Sequence, residues 1–204
     1  LSAVAYGNEG ERRPDYNDHV CLVEAGTGTG KTVAYSIAAI IVAKALQKKL
    51  VISTATVTLQ EQLIARDLPN LQATSELDFT FAIAKGRQRY FCLSKASMRI
   101  KDFGEASSSQ GLFPDEDVRL SDTSLAQIKL LESAFSGSTW DGDRDNWELP
   151  ITQEDWSLVG ADRASCSGKK CPHYQGCALF SARDEVRSAD VVVANHDLVL
   201  ADLA

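Results

Sequence analysis

Residues 20–32 read VCLVEAGTGTGKT, a short apolar run that leads into a turn rich in glycine and threonine. Val20–Glu24 has the composition of a strand, and Lys31–Leu46 has the alanine, isoleucine and valine content of a long helix. Ala25–Thr32, between them, departs only at its first position from the phosphate-binding pattern G-x-x-x-x-G-K-[ST]. The stretch therefore predicts a strand, a loop and a helix that together bind a nucleoside triphosphate.

The chemistry of this loop gives its residues separate roles. Glycine lets the backbone wrap closely around an anion, so that N–H groups point at the phosphates. We predict Lys31 and Thr32 as catalytic residues, with ATP and Mg²⁺ as cofactors, because the ammonium would contact the β- and γ-phosphates and the hydroxyl would bind the metal. A flexible turn with an incidental lysine is the alternative. The predicted nucleotide-binding residues are Ala25, Gly26, Thr27, Gly28, Thr29, Gly30, Lys31 and Thr32.

Strands and helices continue to alternate after this unit. Leu50–Thr54, Phe79–Ala84 and Asp190–Ala194 are predicted strands, and Thr58–Asp67 is a predicted helix that ends near Pro69. Nearly continuous apolar strands are typical of a parallel sheet that is covered on both faces. The predicted fold class is α/β, a parallel sheet with helices on both faces and crossover connections.

About a hundred residues of different composition separate the last two predicted strands, which is too long for a simple loop in a compact domain. A predicted helix, Leu125–Phe135, and the residues Trp140, Trp147 and Trp156 give this segment material for a small core. We predict a mostly helical insertion. The predicted domains are residues 1–84 as the first part of the sheet domain, 85–187 as the insertion and 188–204 as the return to the sheet domain.

Four cysteines mark the insertion. Cys166, Cys171 and Cys177 are spaced C-x4-C-x5-C with glycine and proline between them, and Cys92 is a candidate fourth ligand. Four thiolates suit either a [4Fe-4S] cluster or tetrahedral zinc, in which His173 could replace one cysteine. Unrelated free thiols are the simpler alternative. Cys21, in the first predicted strand, is expected to pack in the core rather than bind metal.

Charge is unevenly distributed along the chain. The net charge of −7 speaks against nucleic acid as a partner. The segment 85–101, however, contains six basic residues and no acidic one. We predict that single-stranded DNA contacts basic and aromatic side chains beside the cysteines. The candidates are Arg87, Arg89, Tyr90, Lys169 and Lys170. The alternative is that the charges face water and that Tyr90 and Phe91 pack in the core.

Composition also excludes some classes of protein. No apolar run is long enough for a membrane span, and residues 1–10 contain no export leader. We therefore expect a soluble protein with no membrane partner, and the predicted phosphate loop implies a cytoplasmic pool of ATP. A monomer is expected, and the sequence names no protein partner.

Five motifs come in a characteristic order: EAGTGTGKT at Glu24–Thr32, STATVTLQEQL at Ser53–Leu63, KGRQRYFC at Lys85–Cys92, the cysteine triplet, and VVVANHDLVL at Val191–Leu200. Together they resemble the DinG family of bacterial helicases, relatives of the XPD helicase. The resemblance implies a superfamily 2 DNA helicase whose first RecA-like motor domain is interrupted by an iron–sulfur domain and an arch.

The resemblance also implies roles for matching residues. Cys92, Cys166, Cys171 and Cys177 would hold a [4Fe-4S] cluster, and Ser53–Leu63 would touch the DNA backbone. Unwinding would run 5′ to 3′ from single-stranded DNA at junctions with duplex, in DNA repair or replication. The DEAH-type box of the family would follow Leu200, but the sequence ends at Ala204. These 204 residues alone are therefore expected not to hydrolyse ATP. A redox or iron sensor with a phosphate loop, or the same motor with zinc, are the alternative functions.

Overall fold

The computed structural model describes Glu24, Gly26 and residues 29–108 and 121–203, with the backbone alone for 104–108 and 202–203. Of the predicted first strand only Glu24 is therefore described. Cys21 and three predicted loop residues, Ala25, Thr27 and Gly28, also lie outside the described part.

Three parallel strands form the sheet in this part of the chain: β1 (Leu50–Thr54), β2 (Phe81–Ala84) and β3 (Val191–Asn195). Their order is β1-β3-β2, so the strand that comes last in sequence lies in the middle. Its first four residues are buried, as its apolar composition requires. The α/β class and the parallel sheet are confirmed. The strand predicted at Phe79–Ala84 begins two residues later, at Phe81.

A first helix, α1 (Lys31–Ala45), precedes β1, as the sequence predicted. After β1 come α2 (Val57–Gln62), a π-helical turn at Leu63–Asp67, and α3 (Leu68–Thr74). The prediction that the helix ends near Pro69 is wrong. In the π turn the Leu68 N–H donates to the Leu63 carbonyl, and Pro69 falls in the first turn of α3, where its missing N–H breaks no helical hydrogen bond.

The segment between β2 and β3 is mainly helical. It contains α4 (Leu93–Ser108), α5 (Asp122–Ser136), α6 (Gln153–Val159) and α7 (Ala178–Ser188), and α8 (His196–Leu203) follows β3. The predicted helix Leu125–Phe135 begins three residues earlier, at Asp122, because the Ser121 hydroxyl accepts a hydrogen bond from the Ser124 N–H and caps it.

Two separate apolar cores correspond to the sheet and to the inserted segment. Aliphatic residues from the strands, from α1, from the π-helical turn and from α3 dominate the first, which we call the sheet core: Ile40, Ile52, Leu63, Leu68, Leu71, Phe79, Val191 and Val193. Three aromatic residues pack with four aliphatic ones in the second, which we call the insert core: Phe91, Ala96, Ile128, Leu131, Trp140, Trp156 and Val159. The segment between β2 and β3, which we call the insert, therefore has apolar packing of its own.

Polar contacts join the insert to the sheet. The Lys49 ammonium donates to the Val186 carbonyl at 2.5 Å and to the Arg187 carbonyl at 2.8 Å, at the end of α7. The Asp190 carboxylate, just before β3, accepts from the backbone N–H of Thr80 at 2.7 Å and from its hydroxyl at 2.9 Å. These contacts fix the point where the chain returns from the insert to the sheet.

Candidate functional site

The loop predicted to bind phosphate leads directly into α1. Gly30 caps the helix with φ of 75°, a left-handed conformation that favours glycine, and its carbonyl accepts from the Ala34 N–H at 3.0 Å. The Gly26 carbonyl accepts a hydrogen bond from the Thr29 hydroxyl at 2.9 Å and another from the Lys31 ammonium. Lys31 and Thr32 therefore stand at the first turn of a helix, as the sequence predicted.

A cavity of about 790 Å³ lies beside this loop. One wall consists of the loop and the start of α1, and another consists of the carboxyl end of β1, where parallel sheets commonly bind ligands. Its size falls within the range of small-molecule sites. The lining residues are Thr29, Lys31, Thr32, Ala34, Tyr35, Ser53, Thr54, Ala55, Leu59, Gln62, Leu63 and Asp67.

Sequence reasoning missed several of these lining residues. Tyr35 lies one turn after Lys31 and is exposed, so helical spacing from the lysine could have identified it. Ser53 and Thr54 end β1, and the rule that ligands bind at carboxyl ends of parallel strands could have identified them. Asp67 belongs to the π-helical turn, which no sequence pattern indicated.

The carboxyl ends of β1 and β3 are tied together. The Ser53 hydroxyl oxygen and the His196 Nδ1 atom lie 2.6 Å apart, within hydrogen-bond distance. Asn195 accepts from the Leu198 N–H at 2.8 Å through its side chain, so it caps α8.

The four cysteines predicted as ligands are all half-buried. Cys92 directly precedes α4, and Cys177 is the N-cap residue of α7. Burial raises the pKa of the Cys92 thiol, backbone N–H groups of Lys95 and Ser94 lower it, and the neighbouring Cys177 and Cys171 thiols raise it. Cys92 is therefore within electrostatic range of two cysteines that follow it by about eighty positions.

Cys166 lies between the turn 163–165 and a short 3₁₀ helix, Gly168–Lys170. Across the described residues, no three His, Cys, Asp or Glu side chains lie close enough together to hold a single metal ion. The structure thus brings Cys92 near Cys171 and Cys177 without forming a compact mononuclear site.

The predicted DNA-binding residues fall into two groups. Lys169 and Lys170 are exposed on the 3₁₀ helix between two cysteines. Arg89 instead forms an ion pair with Asp145, and the ring of Tyr90 is only 5% exposed. Burial of Tyr90 favours packing over the base stacking that we expected of it, because a stacked ring needs an accessible face.

A buried ion pair was also missed. Lys85 contacts Asp143, and its ammonium lies 2.9 Å from the Asp145 carboxylate, with Lys85 only 14% exposed. The basic run at 85–101 suggested a nucleic-acid surface, whereas Lys85 and Arg89 hold the insert against the end of β2. The acidic partners lie more than fifty positions away, so local charge patterning could not identify the pairs.

A narrow groove of about 280 Å³ runs along the carboxyl ends of β2 and β3. It is lined by Val57, Gln60, Ala84, Lys85, Gly86, Gln88, Arg89, Asp145 and Asn195. Polar side chains from α2, from the sheet and from the insert thus face one channel.

No helix in the described part of the chain combines the length and apolar composition that crossing a membrane requires. A scan against models of protein families gave no match. Among curated proteins, the chain is similar to "ATP-dependent DNA helicase DinG" of Photobacterium profundum, at 40% identity over 189 residues, which is 92% of this chain and 26% of the relative.

Two further relatives carry the same name. The protein of Salmonella choleraesuis is 37% identical over 179 residues, and that of Escherichia coli K12 is 36% identical over 179 residues. Both matches cover 88% of this chain and 25% of the relative. The chain therefore spans about a quarter of the length of the curated relatives that it matches.

Proposed function

Because this chain belongs to the DinG family, we propose that the protein is an ATP-dependent DNA helicase and that this segment carries its phosphate loop and its iron–sulfur module. The named relatives support this proposal, and the segment spans a quarter of their length. The proposal includes a superfamily 2 motor of RecA-like fold, 5′ to 3′ unwinding, and work as a cytoplasmic monomer in repair or replication.

The observation that carries the proposal is the cavity shared by the phosphate loop and the carboxyl end of β1. Lys31 and Thr32 line it from the start of α1. In the proposed site the Lys31 ammonium neutralises the β- and γ-phosphates of ATP, and the Thr32 hydroxyl binds Mg²⁺. Hydrolysis of the bound nucleotide would supply the energy for movement along DNA.

Titration of the protein with ATP and Mg²⁺, followed by calorimetry, tests this site. Loss of a charge-assisted contact in Lys31→Ala should weaken binding by on the order of 10-fold or more. Lys48→Ala is the matched control, because this exposed lysine lies beyond the opposite end of α1. Equal affinities of both variants and the wild type would contradict the proposed nucleotide site.

The four thiols fit a [4Fe-4S] cluster in number and in chemistry. Burial raises the pKa of the Cys92 thiol, and binding to iron would hold this group as the thiolate. We propose Cys92, Cys166, Cys171 and Cys177 as the ligands. The cluster would cross-link the insert and provide a redox-active centre.

Zinc and the cluster make different demands on spacing. Zinc binds all four sulfurs directly at about 2.3 Å, so the sulfurs must gather closely around one ion. In a [4Fe-4S] cluster each thiolate binds a different iron, and the sulfurs stand further apart. The two centres therefore predict different distances between the four cysteine sulfurs.

An absorption spectrum of anaerobically purified protein, together with iron, sulfide and zinc analysis, tests the assignment. A broad band near roughly 400 nm with about four irons per chain is expected. Stoichiometric zinc without that band would show that the site binds a structural zinc ion instead of the cluster. A normally folded protein without bound metal would contradict the proposed metal site.

The groove at the ends of β2 and β3 supports a path for single-stranded DNA. Its polar lining comes from the segment Ser53–Leu63 on one side and from the insert on the other. We propose that Arg87 and the exposed pair Lys169 and Lys170 contact phosphates near the junction with duplex. Tyr90 is left out of this set because its ring is buried.

Charge reversal tests the DNA contacts. The double change of Lys169→Glu with Lys170→Glu should weaken single-strand binding and reduce the slope of log affinity against log salt by about two, one for each lost phosphate contact. Lys129→Glu, at an exposed position of α5, serves as the control. An unchanged affinity and slope in the double variant would show that these charges merely face water.

A further inference from the structure

The Lys95 side chain makes three polar contacts. Lys95 lies in the first turn of α4, three positions after Cys92, and its side chain is 18% exposed. Its ammonium donates to the Ser157 carbonyl at 3.1 Å, to the Gly160 carbonyl at 2.9 Å and to the Asp162 carboxylate at 2.9 Å. An ammonium group has three N–H donors, so these contacts use its whole capacity. Lys95 thus joins the start of α4 to the end of α6.

The Asp162 carboxylate continues this connection toward Cys166. It accepts hydrogen bonds from the Ser165 backbone N–H and from the Ser165 hydroxyl, both at 2.7 Å. These hydrogen bonds and that from Lys95 hold the pKa of the Asp162 carboxyl well below its usual range. Hydrogen bonds therefore hold both ends of the turn 162–165, which directly precedes Cys166.

Backbone hydrogen bonds join the same two segments. The Cys92 N–H donates to the Val159 carbonyl at 2.7 Å, and the Ala161 N–H donates to the Tyr90 carbonyl at 2.8 Å. Phe91 and Gly160 form an antiparallel bridge between them. The polypeptide alone thus fixes the position of Cys92 relative to the turn that precedes Cys166.

We propose that Lys95, Asp162 and Ser165 are positioning residues for the cysteine site, holding the Cys166 turn in place relative to Cys92 before any metal binds. This inference rests on the proposed cluster. A turn that is already ordered loses less conformational entropy when its cysteine binds iron, so the cluster is retained more strongly. Groups that orient ligands in this way commonly change metal affinity by about 10- to 100-fold.

Asp162→Asn in the full-length protein tests the proposal. The substitution replaces one of the two accepting carboxylate oxygens by an amide nitrogen that donates, so at least one of the contacts with Lys95 and Ser165 is lost with little change in volume. After anaerobic reconstitution, we expect the visible absorption of the variant to bleach on the order of 10-fold faster in a chelator than that of the wild type. Ser165→Ala, which leaves the backbone hydrogen bond intact, should give a smaller change in the same direction.

Asp184→Asn is the matched control. Asp184 pairs with Arg187 on the exposed surface of α7, with 60% and 76% of the two side chains accessible. This variant should lose its cluster at the wild-type rate. A purely structural role of Asp162 would lower the urea midpoint of the metal-free protein without changing the rate of cluster loss under native conditions.

Four results decide between the two proposals. A cluster in the wild type with wild-type loss rates in both Asp162→Asn and Ser165→Ala overturns the positioning role and leaves the proposed function standing. Faster cluster loss in both variants, with an unchanged urea midpoint of the metal-free protein, supports the positioning role. Zinc in the wild type refutes the cluster, and the rates of zinc loss then decide the positioning role. No bound metal in the wild type refutes both.

Discussion

Val193 in the sheet core and Trp156 in the insert core are buried to nearly the same extent, at 0% and 1% exposure. Val193 lies in register between Ile52 of β1 and Ile83 of β2, so strand pairing sets its neighbours. Trp156 is held by a hydrogen bond from its indole N–H to the Gln88 carbonyl at 2.6 Å, and the Arg144 guanidinium lies 5.3 Å from its ring centroid.

The difference shows that the two cores depend on different kinds of contact. Seven of the eight residues of the sheet core are aliphatic, and three of them, Ile52, Val191 and Val193, lie on paired strands. In the insert core a few aromatic residues make both apolar and polar contacts with distant segments. We therefore expect single substitutions to have larger and more local effects in the insert than in the sheet.

Trp156→Ala should have the largest effect. Removing a fully buried indole leaves a cavity and an unpaired Gln88 carbonyl, and such changes cost about 3–5 kcal/mol in the free energy of unfolding. Urea unfolding measures the loss, and hydrogen exchange should show that amides of α4 and α5 lose protection before those of β3. Trp156→Phe is the control that keeps a ring. If the alanine variant lost less than about 1 kcal/mol in the free energy of unfolding, single substitutions would not have larger effects in the insert core than in the sheet core.

Gly142→Ala should have the next largest effect. Gly142 has φ of 85°, and an added Cβ would come within 2.6 Å of the Ala178 Cβ atom and 2.8 Å of the Phe135 ring. Overpacking of this kind costs about 1–3 kcal/mol, in addition to the strain of a left-handed alanine.

Gly168→Ala separates these two causes. Gly168 also has a positive φ, of 60°, but an added Cβ would meet no described atom within 4 Å. This variant should show only the backbone strain of about 1–2 kcal/mol. Equal urea midpoints for the two metal-free variants would show that the contact with Phe135 and Ala178 relaxes without cost.

The sequence was informative where residues act locally. Leu50–Thr54 and Lys31–Ala45 follow from apolar runs and helix-forming composition, whereas phosphate binding by the loop before α1 stays a prediction. The position of β3 in the middle of the sheet could not be predicted, because apolar content does not determine strand order. Pro69 misled the prediction because the π-helical turn that accommodates it has no local signature.

Charged residues near the cysteines were also harder to interpret, because their partners are distant in sequence. Lys85, Arg89 and Lys95 look like one basic surface in the sequence, yet their partners Asp143, Asp145 and Asp162 come from a separate acidic stretch. Only the folded chain brings the two stretches together. Lys169 and Lys170, in contrast, are exposed, so their predicted contact with DNA stays a prediction.

Ile52→Val tests the sheet side of the comparison. Ile52 is 6% exposed in β1, and removal of one buried methylene costs about 0.5–1.5 kcal/mol. The urea midpoint should fall accordingly, while hydrogen exchange in α5 and α6 stays unchanged. Val51→Ala is the neighbouring control: its side chain is 51% exposed on the other face of the strand, and it should change stability by less than about 0.5 kcal/mol. Loss of protection in the insert would show that the two cores are not independent.

Asp190→Asn should have the smallest effect, at the point where insert and sheet meet. Hydrogen bonds from the Thr80 backbone and hydroxyl hold the pKa of the Asp190 carboxyl below its usual range, and Lys44 and Lys49 add a weaker attraction. A carboxyl with a lowered folded pKa contributes its full stability above its unfolded pKa of about 3.9 and loses it as the pH falls through the folded value.

The variant should therefore be less stable than the wild type at neutral pH, by less than about 1 kcal/mol because the group is exposed to solvent. Urea midpoints measured at several pH values should converge as the pH falls well below about 3.9, where both proteins carry a neutral side chain. Asp184→Asn, in an exposed ion pair of α7, should not reproduce this convergence. A constant difference between Asp190→Asn and wild type at all pH values would mean that the geometry of the Thr80 contact, and not the charge of Asp190, holds the start of β3 beside the start of β2.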